Sequence, residues 1–291
     1  MENLDWNVEV IKHNFLENPK KYDFNFYNPE DLDVDEYNNI YIADSGDVTI
    51  KKMNFNYDEY SDPIIIAGIP RYENNEPDEY DSNDINSLSQ VSNVIVDRNG
   101  AILFVDQKRG ILQIESDGQL SRLYNVDDGD FIMSMIVDKD NNLVFAERKK
   151  TNYGYTDFVF LMEHDTGNIV DLMTARSELY GNHILLAKNS TNGIYYLQGA
   201  NIDYIQGSDF RRAYENDDVL YITFDFEGHL LYLFRHHVEI EYPEGRYILC
   251  NFDENYGYPS GIVVDYNGDV IISTEREILK CYRPRSPKSA I

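Results

Sequence analysis

With 291 residues, 52 Asp and Glu against 25 Lys and Arg, and a formal net charge of −27, the chain presents a surface that repels phosphate backbones and so excludes ordinary nucleic-acid binding. A hydrophobic fraction of 42% excludes a disordered chain, and 24 Tyr against 6 Met lean toward strands. No stretch approaches the roughly 18 apolar residues of a membrane span, and residues 1–6 lack a basic or apolar leader, so a soluble intracellular protein with no membrane partner is expected.

In chain order, residues 6–11 alternate apolar and polar side chains from Trp6 through Val8 and Val10 and read as a strand. Residues 31–44 then read strand, polar turn, strand. The same grammar returns in residues 94–106, where Asn99-Gly100 is a strong hairpin signal because both residues tolerate positive φ. It recurs in residues 135–147, more weakly in 183–197, again in 221–233, and clearly in 261–273. The turn-flanking positions Asp35, Asp97, Asp138, Lys188, Asp225 and Asp265 are 62, 41, 50, 37 and 40 residues apart, and most of these intervals suit a four-stranded propeller blade. The long first interval reflects an acidic segment, residues 71–90, without apolar periodicity. Third strands are expected at 110–114 and 277–282, and an outer strand at 120–124.

After residue 282 only a basic, Pro-containing tail remains, residues 283–291, which cannot supply a fourth strand and is expected to be disordered. The strand at 6–11 is therefore expected to close the ring as the outer strand of the last blade. The expectation is one all-β domain over residues 1–282, a six-bladed β-propeller with four-stranded blades. Cys250 and Cys281, the only cysteines, show neither CxxC nor metal-ligand spacing and match the usage of a reduced compartment, with a disulfide between them left open and no motif in its support.

Residues 29–35 with 39–44, and 259–265 with Asn267-Gly268, resemble the NHL-repeat pattern. A second mark is the Ala67-Gly68 pair, followed by the long polar segment and Leu88. The resemblance covers about 250 residues and implies a propeller with ligand surfaces on its loop-bearing faces, without fixing an activity. Gluconolactonase-like and paraoxonase-like propellers are similar more distantly. That likeness would imply Ca²⁺ or another divalent metal in the channel, held by carboxylate and amide oxygens at blade starts, with Glu30 at the matching position. The equivalent positions in other units carry Ser92, Met133, Leu220 and Ser260, so the carboxylates to complete such a cage are missing. His229, His236 and His237 lie beside apolar strand segments without HxH or HExxH spacing, and neither Ser45 nor Ser260 has a nucleophile context.

The expectation is thus a non-enzymatic binding or scaffold propeller, without catalytic residues or cofactor, that engages a protein partner, a basic one by charge. A divalent-metal-dependent hydrolase or lyase is the alternative. The candidate contact is the acidic segment with Tyr72, Glu73, Glu76, Asp78, Glu79, Tyr80, Asp81 and Asp84, because long loops on rigid scaffolds often carry function. Residues 152–157 are a second candidate.

Overall fold

An aspartate builds the same turn in five of the repeated units. A computed structural model describes residues 4, 6–13, 26–56, 59–70, 84–152, 154–176, 184–189, 193–198, 201–205 and 219–283. In it, one carboxylate oxygen of Asp35, Asp97, Asp138, Asp225 and Asp265 accepts the amides two and four residues on, at 2.8–3.0 Å. The third residue of each turn has positive φ and is Asn38, Gly100, Asn141, Gly228 or Gly268, residues that tolerate that region. In the remaining unit Asn189 accepts the Gly193 amide in the same way.

These turns join the first two strands of six sheets. The chain opens with β1 (Asn7–His13). Blade one follows as β2 (Pro29–Val34), β3 (Ile40–Asp44), β4 (Thr49–Met53) and β7 (Ile64–Ala67), with a small hairpin, β5 (Phe55–Asn56) and β6 (Glu59–Tyr60), between the last two. Blade two is β8 (Val91–Val96), β9 (Ile102–Asp106), β10 (Gly110–Ile114) and β11 (Leu120–Tyr124). Blade three is β12 (Phe131–Val137), β13 (Leu143–Thr151), β14 (Gly154–Met162) and β15 (Ile169–Arg176). Blade four has three strands among the described residues: β16 (Ile184–Lys188), β17 (Ile194–Gln198) and β18 (Asn201–Tyr204). Blade five is β19 (Tyr221–Phe224), β20 (Leu230–Leu233), β21 (His237–Tyr242) and β22 (Gly245–Asn251). Blade six is β23 (Pro259–Val264), β24 (Val270–Thr274) and β25 (Glu277–Tyr282), completed by β1, which pairs antiparallel with β25 from Asn7 opposite Tyr282 to His13 opposite Glu277.

The chain is a six-bladed β-propeller. Its ring is closed by the N-terminal strand, as the alternation around Val8 and Val10 predicts. Each inner strand packs beside the next, from β2 through β8, β12, β16, β19 and β23 back to β2. Six apolar clusters fill the spaces between blades, because both faces of each sheet carry apolar side chains. Among the described residues no helix is long and apolar enough to cross a membrane.

Two features differ from the sequence reading. Cys250 on β22 and Cys281 on β25 form a disulfide, with Cα atoms 6.5 Å apart, at the seam where the ring closes. Their separation of 31 residues carries no motif, and only the side-by-side packing of blades five and six brings them together. Blade three also extends beyond its neighbours, with β13 and β14 of nine residues each and a buried Arg148–Asp157 ion pair, 2.7 Å, tying them together. The second candidate segment is the tip of this hairpin. Of the tail, residues 284–291 lie outside the described residues.

Candidate functional site

The six inner strands run in one direction along the ring axis, so their starts form one mouth of a central channel and their Asp turns the other. The channel encloses about 1230 Å³. Its lining mixes apolar side chains, Leu32, Val94, Met135, Leu186, Ile222 and Ile262, with polar ones such as Asp31, Asp33 and Ser134.

At the entry mouth stand Glu30, Asn93, Phe131, Tyr221 and Tyr258. Burial pushes the Glu30 carboxyl above the ordinary carboxylate value, with the Ser45 hydroxyl opposing the shift. Asp31 turns toward blade two. Its Oδ1 accepts the Leu32 amide at 2.9 Å, and its Oδ2 accepts the Val94 amide at 3.2 Å and the Asn93 side-chain amide at 3.3 Å. Two residues on, Asp33 accepts the Val96 amide at 2.8 Å. The two carboxylates thus hydrogen-bond β2 to β8 and act as joints between blades. Burial outweighs these donors and raises Asp31 to about 7 and Asp33 to about 6. Across the channel, burial lowers the Lys188 pKa against the opposing pull of Asp33, and the Lys188 ammonium donates to the Val137 carbonyl. The Tyr221 phenol is raised by burial first, then by the charges of Asp31 and Glu30.

The raised pKa values have a consequence for stability. The folded chain holds these two protons more tightly than the unfolded chain, whose carboxyls titrate near 4. The resulting stabilisation is fully present below about pH 4 and is lost as pH rises through about 6 and 7. At about 1.4 kcal/mol per pKa unit it is on the order of 4 kcal/mol for Asp31. The thermal midpoint is expected to fall from about pH 5 to about pH 8, and Asp31→Asn to flatten that slope. A midpoint that climbs over this window would contradict the assignment.

At the turn mouth Tyr37, Phe226 and Tyr266 stand 70%, 53% and 53% exposed, on blades one, five and six. Arg98, Lys139 and Lys188 stand on blades two, three and four. The rings of Phe226 and Tyr266 are 5.0 Å apart. Asn38 accepts the Tyr266 amide at 2.7 Å, and Asn141 accepts the Arg98 amide at 3.1 Å, so the positive-φ asparagines bolt successive turns together. Sequence reading treated these turns as hairpin chemistry only. Aligning the residue after each aspartate, Glu36, Arg98, Lys139, Phe226 and Tyr266, was the signal that could have shown the divided rim.

Of the sequence-predicted contact residues, Tyr72, Glu73, Glu76, Asp78, Glu79, Tyr80 and Asp81 lie outside the described residues. Asp84 is described and anchors the end of that connection: its carboxylate accepts the Asn86 amide at 2.9 Å, and its carbonyl accepts from Arg109. The connection leaves β7 and enters β8 on the entry side. Among the described residues no three Asp, Glu, His or Cys side chains converge as ligands, and Asp31, the nearest carboxylate in sequence, is bonded to blade two. The histidines have local partners: His229 Nδ1 lies 2.8 Å from Asp225 inside its own turn, and His237 stacks on Phe234 with centroids 4.5 Å apart. The Ser260 hydroxyl donates to the Pro29 carbonyl and Ser45 to the Asn28 carbonyl.

No protein-family model and no curated protein matches the chain in sequence. Solved structures do match in shape. A gluconolactonase from Xanthomonas campestris superposes with a TM-score of 0.68 at 13% identity, over 96% of this chain and 90% of that one. A streptogramin B lyase gives 0.63 at 12% identity, over 96% and 98%. An auxiliary nutrient binding protein from Bacteroides thetaiotaomicron gives 0.65 at 14% identity, over 96% and 78%. They share its fold. At such identities the likeness carries the architecture and no activity.

Proposed function

We propose that this propeller is a non-catalytic binding protein that engages a basic protein partner through its loop-bearing faces. The observation that carries this reading is the use made of the channel carboxylates. Asp31 and Asp33 join β2 to β8, and Asp35 is taken up by its own turn, where it also accepts from the Asn39 side chain at 2.8 Å and the Tyr41 hydroxyl at 3.1 Å. Groups so engaged hold a ring together and are poorly placed to exchange protons with a substrate. The net charge of −27 meanwhile accelerates encounter with cationic surfaces and makes it salt-dependent. The acidic segment 71–90 is one contact this reading supplies.

One observation favours a second reading as a hydrolase or lyase: Asp31, at about 7, would suit a general base at neutral pH, beside Tyr221. Against it, both Asp31 oxygens already accept backbone amides.

Calorimetric titration with a lysine-rich peptide and a glutamate-rich peptide of equal length separates these ideas. The lysine-rich peptide alone is expected to bind, weakening by about tenfold or more between low and physiological salt. Equal binding of the two peptides, or none by either, would count against the reading. Lactone turnover that disappears in Asp31→Asn would favour the second.

A further inference from the structure

We infer that the turn mouth of the channel is a docking site for a lysine or arginine side chain of a basic peptide, received by Tyr37, Phe226 and Tyr266 beside Glu36. This inference rests on the binding reading above and assigns it a place on the face of the Asp turns.

The three aromatic residues come from turns of adjacent blades, five, six and one, and form an arc along half the rim. Exposed aromatic side chains gathered at a cavity mouth are uncommon on a surface with no partner, and their faces attract cations through the ring quadrupole. The arc is held in place before any ligand arrives. Asn38 fixes the Tyr266 backbone, and the Phe226 and Tyr266 rings pack together. Burial first, and then the charges of Asp33, Glu36 and Asp35, raise the Tyr266 phenol against the opposing pull of Arg98, so negative charge lies within reach of its ring. A cation seated there would meet both π-faces and negative charge.

The opposite half of the rim carries Arg98, Lys139 and Lys188. These repel a basic side chain and confine it to the aromatic half, so the mouth fixes an orientation as well as an affinity. An uncharged apolar peptide would gain nothing from the carboxylates, and an acidic one would be drawn to Arg98, Lys139 and Lys188, away from the aromatic half. Charge complementarity therefore selects a basic peptide as the occupant.

The test uses the full chain and the lysine-rich peptide. Phe226→Ser and Tyr266→Ser are each expected to weaken binding by about threefold to tenfold, the range that loss of a cation–π contact brings, and Arg98→Glu to tighten it. Phe131→Ser, at the entry mouth, serves as the control on the opposite face and is expected to leave this site unchanged. Thermal unfolding of each variant shows whether the fold is kept; all three substituted residues in the first set are exposed turn positions. Wild-type binding that the two aromatic variants leave intact would overturn the placement alone, and its loss on deletion of residues 71–83 would move the contact to the acidic segment. A wild-type chain that ignores the lysine-rich peptide would overturn the binding reading, and the placement with it.

Discussion

Deletion of residues 1–13 is expected to abolish the cooperative unfolding transition of the whole chain. The strand they contain pairs with β25 along its length, and Trp6, Val8 and Val10 pack against the apolar cluster between blades five and six. The Leu4 and Trp6 amides also bond the carbonyls of Ile248 and Leu249 on blade five, so the segment spans the seam. Its removal leaves the amides and carbonyls of β25 as an open edge and uncovers Leu279 and Cys281, both fully buried in the intact ring. Far-UV circular dichroism during heating should show a broad, early loss of signal, or aggregation, and a synthetic peptide of residues 1–13 should restore part of the sharp transition. A truncated chain that melts like the intact one would contradict this role of the N-terminal strand.

The second large effect is expected at Lys51. Its ammonium lies 2.6 Å from Asp44 and 2.7 Å from Asp47, with the Lys51 and Asp44 side chains only 3% and 0% exposed. Asp44 in turn accepts the Tyr27 and Asn28 amides at 2.8–3.1 Å, which fixes the chain as it enters β2. Lys51→Ala leaves two carboxylates buried without their cation, and breaking such a pair from one side costs about 3–5 kcal/mol. Urea unfolding should show a midpoint lowered accordingly with an unchanged slope. A loss below about 1 kcal/mol would mean that water reaches the site and screens the carboxylates.

The turns were legible because aspartate followed by a residue tolerant of positive φ is a local signal, and five of the six units carry it. Closure was legible for a different reason: the last unit runs out of strand-forming sequence after Tyr282, and the alternation at Val8 and Val10 has no other partner. What the sequence concealed depends on contacts between blades. Asp31 and Asp33 look like the polar half of an alternating strand, and their bonds to β8 exist only once two blades stand side by side. Cys250 and Cys281 meet by the same route. The divided rim of the turn mouth required six turns in register, and the residues that make it, Tyr37, Phe226 and Tyr266 against Arg98 and Lys139, are unremarkable in any single hairpin.

Blade four shows the limit of the pattern. Lys188 replaces the apolar-to-aspartate transition of the other units, and Asn189 takes over the turn. The substitution places a cation across the channel from Asp33, where it opposes the charge concentrated on blade one. The weakest repeat in sequence is thus the one that balances the channel.

Hydrogen exchange of the full chain, followed by mass spectrometry with and without the lysine-rich peptide, tests the central claim most directly. The account predicts slower exchange on binding in the turns at residues 35–39, 225–229 and 265–269, with the turns of blades two and three unchanged. Exchange that is identical along the whole chain with and without peptide would contradict the claim that this propeller binds a basic partner.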